Sequence, residues 1–294
     1  LDRAELGRRP LLYTGVPLAC FAAGIAIHNA SSALFWTVLA YVALTHFVRQ
    51  QVGWVAVYRA RSGPVSVVDR LLDDAAVYAG ALYPVLVWHA TLPRAFSWFT
   101  DGDFVSLPIQ AALPALRVVW ILLLVAYAAR AVQRAIATRT LEVGKHVVVV
   151  TTAVTWYVGI VATNTDFAFT AANVVVHGVP YVVLLYMYAR ERRREGGSVA
   201  GRIVAKGGAA FLIVLQALAF LEEMVWDRVV WRSHDGLFGS WLSDVVFSDA
   251  TLSILVPLLA VPQATHYVLD AVLWRRRDTG AAQARAMGFG SAPR

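Results

Sequence analysis

Long apolar runs dominate the chain, and most polar positions fall between them. A helix needs about 20 mostly apolar residues to cross a hydrocarbon core. Because backbone groups in lipid must be hydrogen-bonded within the protein, such runs form helices. Eight runs predict spans at 11–29, 32–57, 75–92, 108–129, 146–164, 167–189, 203–224 and 250–274. The pattern therefore predicts an all-α polytopic integral membrane protein, with residues 1–294 forming a single transmembrane domain.

Composition agrees with a protein whose direct partner is the lipid bilayer. Hydrophobic residues make up 59% of the chain and charged residues only 15%, against about 25% charged residues in soluble domains. If the protein is bacterial, the expected location is the cytoplasmic, or inner, membrane. Cys20 is the sole cysteine, which excludes an intrachain disulfide and any zinc or iron–sulfur site held by several cysteines of this chain.

The distribution of basic residues predicts the orientation. Of the 26 lysines and arginines, 22 lie at the two termini and in the alternate stretches 49–70, 130–145 and 190–206. Basic residues near span ends favour the cytoplasmic side, so both termini are expected to be cytoplasmic. The net charge of +7 then reflects topology, and we expect no nucleic-acid partner.

Two hydrophilic segments are long enough to be treated separately. Residues 226–249 are predicted to form an outer interfacial loop, because Trp226, Trp231 and Trp241 suit the membrane–water boundary. Residues 278–294 are predicted to form a flexible cytoplasmic tail.

Polar side chains inside apolar runs form the central candidate site. Such groups are costly in hydrocarbon and mark functional positions. His46 and His266 both lie about 21–24 Å below the outer ends of their spans at 1.5 Å per residue, and His177 is one or two turns shallower. Asp270 follows His266 by four residues and shares its helix face. These positions predict a group of three histidines and an aspartate.

The second span allows two interpretations. Arg49 and Gln50 share a helix face with His46. If the helix continues to Tyr58, this polar patch lies at membrane depth. If the helix ends near Val48, His46 is an interfacial residue and Arg49 an ordinary cytoplasmic charge.

Imidazole and carboxylate groups suit iron, manganese or zinc, and we expect iron first, with haem as a less favoured alternative. Asp270 can coordinate the metal or orient His266. The predicted ligands are His46, His177, His266 and Asp270. The predicted catalytic residues are Arg49, Gln50 and Asp270, of which Arg49 and Gln50 are expected to hold bound water or a polar head group.

A second polar set lies near the predicted outer ends of the first, third and seventh spans. Its members are imidazoles and carboxylates at similar depths, so they form a secondary metal hypothesis. For each one alone, a helix end meeting water is the simpler explanation. These residues are His28, His89, Glu222 and Glu223.

Three classes of function fit this pattern. The first is a membrane-embedded, metal-dependent oxidoreductase or oxygenase whose apolar lipid or isoprenoid substrate enters from the bilayer. The HxxxH and HxxHH boxes typical of membrane desaturases are missing. The second is a proton-coupled transporter or a proton or ion relay that uses the same polar cluster. The third is a structural subunit or a haem carrier, with His89 and His177 as axial ligands.

Overall fold

All regular elements in the described part of the chain are helical. The computed structural model describes residues 3–63, 65–194, 199–241, 245–273 and 281–289. Eight of its helical segments are long and apolar enough to cross a membrane: α1 Pro10–Ala30, α2 Ser32–Arg61, α3 Val67–Ala90, α4 Gln110–Thr138, α5 Val143–Ala162, α6 Asp166–Arg194, α7 Gly208–Trp231 and α8 Asp249–Leu273. The predicted all-α polytopic fold is therefore confirmed.

Several helices extend beyond the predicted apolar runs. Helix α3 begins at Val67, where the Ser66 hydroxyl caps it by accepting a hydrogen bond of 3.1 Å from the Asp69 amide. Helix α4 continues to Thr138. A span predicted from hydropathy ends where charged residues begin. In the structure the helices continue, because these charges pair across helices: the Arg130 guanidinium donates to Asp69 at 2.6 Å.

Helix α2 is unbroken from Ser32 to Arg61. The helix therefore continues past Tyr58, as the longer interpretation requires, and the position of the polar patch at membrane depth stays a prediction. His46 lies near the middle of α2 with 8% of its surface exposed, so its imidazole is buried in the protein at mid-helix.

The chain forms two compact units. The central unit, Trp36–Val183, packs α3 against α4 and α5. At Gly80 a Cβ atom would come within 3.2 Å of the Ala153 backbone, so a small residue is needed for this close helix approach. Trp88 is fully buried at the centre of the apolar core of this unit.

The terminal unit comprises Leu1–Phe35 and Leu184–Arg294. Within it α1 packs along α8, and a Cβ atom at Gly24 would lie 3.0 Å from the Pro257 side chain. Helix α7 continues through Trp226 to Trp231, so the predicted outer loop at 226–249 begins with helical residues.

The predicted tail at 278–294 is described only at 281–289. A short helix, Ala281–Ala286, lies in this part. Arg285 donates a hydrogen bond of 2.8 Å to Glu191 of α6, and Met287 is 4% exposed. The described part of this segment thus packs on its own unit, while 278–280 and 290–294 lie outside the described residues.

The predicted orientation leads to a labelling experiment in a Cys20→Ser background. Asp101 precedes α4 and Ala137 lies near its end, and both side chains are exposed. We expect a membrane-impermeant maleimide to label Asp101→Cys on intact cells and Ala137→Cys only after permeabilisation. The reverse pattern would invert the topology, and labelling of both from one side would mean that α4 does not cross the membrane.

Candidate metal centre

Two of the predicted ligands meet inside the central unit. His46 of α2 and His177 of α6 are in edge-to-face contact, with ring centroids 5.1 Å apart and an interplanar angle of 73°. A ring nitrogen of each lies within 4.8 Å of the other. Two nitrogens about 2.1 Å from a shared zinc or similar ion are separated by less than this, so a small side-chain adjustment would let the pair chelate one ion.

Aromatic rings fix the position of the His177 imidazole. Phe47 stacks on it with centroids 3.9 Å apart and an interplanar angle of 13°. Tyr181, one turn further along α6, is nearly parallel to it at 6.2 Å. Trp98 then packs on the edge of Phe47 at 5.0 Å. The histidine pair therefore has an apolar aromatic wall, which restricts the rotation of the ligand ring.

Trp98 comes from the connection between α3 and α4, and Asp103 orders this connection. The Asp103 carboxylate accepts hydrogen bonds from the Trp98 and Phe99 amides at 2.8 and 2.7 Å. Burial raises the pKa of Asp103, while these backbone hydrogen bonds oppose the rise. The aromatic wall next to His177 thus rests on a hydrogen-bonded turn.

The backbone around His177 departs from α-helical geometry. Residues Val174–Gly178 form a π-helical turn, in which the Val179 amide donates to the Val174 carbonyl. Such turns are often found at functional sites because they redirect backbone and side chains. The Val176 carbonyl accepts a hydrogen bond of 2.9 Å from Gln51 Nε2 on α2. This bond ties the two ligand-bearing helices together close to the two histidines.

Arg49 and Gln50, the predicted catalytic residues of α2, differ in burial from the neighbouring Gln51. Arg49 is exposed and Gln50 half-buried, whereas Gln51 is 2% exposed and makes the contact with α6. Gln50 Oε1 accepts a hydrogen bond of 3.2 Å from Gln51. The buried polar group next to the histidine pair is therefore Gln51. The sequence pattern did not indicate this residue, because Gln51 does not share a helix face with His46.

The other two predicted ligands lie together in the terminal unit. His266 Nδ1 is 3.6 Å from Asp270 Oδ1 across one turn of α8. Their side chains are 26% and 10% exposed, respectively. A carboxylate beside Nδ1 is the arrangement in which a carboxylate orients a metal-binding histidine. The predicted face-sharing of this pair is confirmed.

The secondary outer candidates show ordinary structural contacts. His89 is 4% exposed, its Nδ1 lies 2.7 Å from the Val85 carbonyl, and its Nε2 lies 2.8 Å from the Tyr41 hydroxyl. Both ring nitrogens are therefore engaged, which leaves none for a metal or haem iron. In the terminal unit, His28 packs edge-on against Phe35. Glu222 and Glu223 are exposed.

A serine, a histidine and an aspartate also meet after α7. Ser233 Oγ donates to Asp227 Oδ1 at 3.1 Å, and His234 Nδ1 lies 3.0 Å from the same oxygen. Ser233 Oγ and the carboxylate approach the same ring nitrogen, because Oγ is 2.8 Å from Nδ1. A catalytic triad needs the serine on Nε2. The buried Asp227 therefore organises a turn and does not activate a nucleophile.

Comparisons with models of protein families, with curated proteins and with solved structures give no significant match.

Proposed function

We propose that this chain is a membrane-embedded, metal-dependent oxidoreductase that acts on a lipid or isoprenoid substrate. The observation that carries the proposal is the pair of imidazoles from His46 and His177, held with ring nitrogens within 4.8 Å of each other. A histidine that only packs in a core needs no second imidazole beside it. Two histidines at this separation are typical ligands of iron, manganese or zinc.

His266 remains the predicted third ligand. The prediction is based on the predicted depth of His266 within its span and on Asp270, which lies beside Nδ1 and would orient the ring. A third imidazole would complete the three protein ligands of a catalytic metal and leave a coordination position open. We expect Asp270 to orient His266 or to supply a carboxylate ligand of the metal.

The surroundings of the pair favour an apolar substrate. Phe47 covers one face of His177, and Trp98 extends the same aromatic wall. Aromatic rings bind hydrocarbon through large apolar contact areas. A lipid chain or isoprenoid could reach such a wall laterally from the bilayer, whereas a charged substrate would lose its hydration without gaining a partner.

Iron is the metal that best fits an oxidation in this environment. Imidazole ligands with an open position are typical of non-haem iron sites that use dioxygen as the oxidant. In that assignment the metal supplies the redox chemistry. His46 and His177 would hold it, the Gln51 hydrogen bond and the π-helical turn would fix the position of His177, and the aromatic rings would limit access of water from their side.

Metal analysis of the protein purified in detergent tests the proposal. We expect about one iron, manganese or zinc ion per chain, since buried His46 and half-buried His177 would share one ion. A visible spectrum of the same sample distinguishes non-haem metal from haem. A Soret band would replace the proposal with a haem carrier. If no metal binds even after incubation with iron(II), the proton relay becomes the better explanation of the cluster.

A further inference from the structure

A second polar site lies at one end of the central unit, away from the histidine pair. Its centre is a cavity of about 460 Å³, a size within the range of about 300–1,000 Å³ that is usual for small-molecule sites. The cavity lies between the end of α2, the start of α3, the end of α4 and the start of α5. Its charged lining residues are Asp69, Asp73, Arg130, Arg134, Glu142 and Lys145.

The lining contains three cations and three anions. Lys145 forms the floor, with a side chain 2% exposed that donates to Glu142 at 2.6 Å and lies 3.3 Å from Asp73. Arg130 lies nearer the mouth, with a side chain 37% exposed, and pairs with Asp69 at 2.6 Å. Because the charges balance, the wall has no net charge to attract a simple cation or anion.

Glu142 is ionised in this arrangement. Burial alone would raise its pKa, but the hydrogen bond from Lys145 and the charges of Lys145 and Arg134 lower the pKa below its usual value. Its Oε2 accepts the bond from Lys145, whereas its buried Oε1 has no hydrogen-bond partner among the described residues. This second oxygen is therefore available to a positively charged ligand group.

Arg134 is the one cation of the lining without a hydrogen bond to the described residues. Its Nη1 is buried and has no hydrogen-bond partner. The nearest carboxylate oxygens are Glu142 Oε2, which lies 3.5 Å from Nη1, and Asp69 Oδ2, which lies 4.0 Å from Nε. A guanidinium has five donors in a planar fork that matches phosphate and carboxylate oxygens. Burying such a donor without an acceptor is costly, so the cavity calls for an oxyanion at this position.

We propose that the cavity binds a zwitterion whose oxyanion is held by Arg134 and whose ammonium group is held by Glu142. A ligand carrying both charges leaves the balanced wall neutral, whereas a simple anion would add one uncompensated negative charge. The phosphate and ammonium of an ethanolamine phospholipid head group have this chemistry. A soluble phosphoethanolamine has it as well.

Lipid binding to the detergent-purified chain tests this assignment. We expect native mass spectrometry to detect bound phosphatidylethanolamine, and added phosphatidylethanolamine to raise the thermal unfolding midpoint. Phosphatidylglycerol, which lacks the ammonium group, should do neither. Arg134→Gln should weaken phosphatidylethanolamine binding about tenfold or more, since hydrogen bonds to charged groups are among the strongest in proteins.

Further variants and a soluble probe identify the contacts and the source of the ligand. Arg134→Lys keeps the charge but loses the fork, so it should also weaken binding, and Glu142→Gln should reduce the preference over phosphatidylglycerol. Arg70→Gln removes an exposed arginine that does not line the cavity and should bind like the parent.

Binding of O-phosphoethanolamine with the same Arg134 dependence would show that the head group suffices; binding of the lipid alone would show that the chains contribute. Equal binding of phosphatidylglycerol, binding unchanged in Arg134→Gln, or no binding of either zwitterion would overturn the proposal.

Discussion

Replacing Lys145 with methionine is expected to destabilise the protein by about 3–5 kcal/mol, the usual cost of removing one partner of a buried ion pair. The Lys145 ammonium is 2% exposed and lies between the carboxylates of Asp73 and Glu142. Methionine fills a similar volume, so the loss comes mainly from the Asp73 and Glu142 carboxylates, which lose the ammonium group that both contact. The measurement is the unfolding midpoint in detergent, followed by intrinsic tryptophan fluorescence or by loss of monodispersity.

The control is Lys206→Met, at the other lysine of the chain, whose side chain is exposed. This variant should unfold close to the parent. The double variant Lys145→Met, Asp73→Asn should recover part of the stability, because one of the two carboxylates that contact Lys145 is then neutral. If Lys145→Met unfolds like Lys206→Met, the ion pairs of Lys145 contribute little to the stability of the fold. Water in the cavity must then solvate the Asp73 and Glu142 carboxylates.

The class of fold could be predicted from the sequence because lipid imposes one requirement on every span. Apolar runs of sufficient length must become helices, and the structure has a helix at each of the eight runs. Hydropathy did not give the helix ends, since it measures only transfer to lipid. The first turns of α3 and the last turns of α4 are polar, yet they are helical because Asp69 and Arg130 pair across the two helices.

The charged cavity could not be predicted for the same reason. The basic residues at 130–145 predict a cytoplasmic position, and this orientation stays a prediction. Arg130, Arg134 and Lys145 contact carboxylates from the start of α3, which are separated from them by a whole helical hairpin in the sequence. A one-dimensional charge count cannot distinguish solvated arginines from paired ones.

The candidate site was predictable in its histidines but not in its supporting residues. An imidazole within an apolar run is conspicuous, so His46 and His177 could be selected by composition and depth alone. Choosing between Gln50 and Gln51 requires knowledge of which face of α2 is buried. In a membrane protein both the lipid-facing and the core-facing sides are apolar, so the pattern of α2 does not indicate its orientation. The π-helical turn at 174–178 has no recognised sequence signature here, but it sets the direction of His177.

Replacing His177 with alanine is expected to reduce bound metal from about one ion per chain to background, since buried metal sites tolerate the loss of a ligand poorly. The His177 ring contacts Phe47 and His46, so its removal also leaves a small cavity. The fold should survive because the π-helical turn and the Gln51 hydrogen bond use backbone atoms of α6. The measurement is metal content together with the thermal unfolding midpoint of the same preparation.

Matched variants separate ligation from packing. His177→Phe keeps an aromatic ring beside Phe47 but has no nitrogen, so it should lose metal while keeping the unfolding midpoint. His266→Ala should lose metal if the predicted third ligand is correct, and Gln51→Leu should weaken metal binding on the order of 10–100-fold, as is typical of groups that orient a ligand.

His89, whose two ring nitrogens are hydrogen-bonded within the protein, serves as the control, and His89→Ala should keep its metal. Metal that persists in His177→Phe but disappears in His89→Ala would move the site to the outer set. Metal loss in His177→Phe with retention in His266→Ala would keep the pair in the central unit and require a different third ligand.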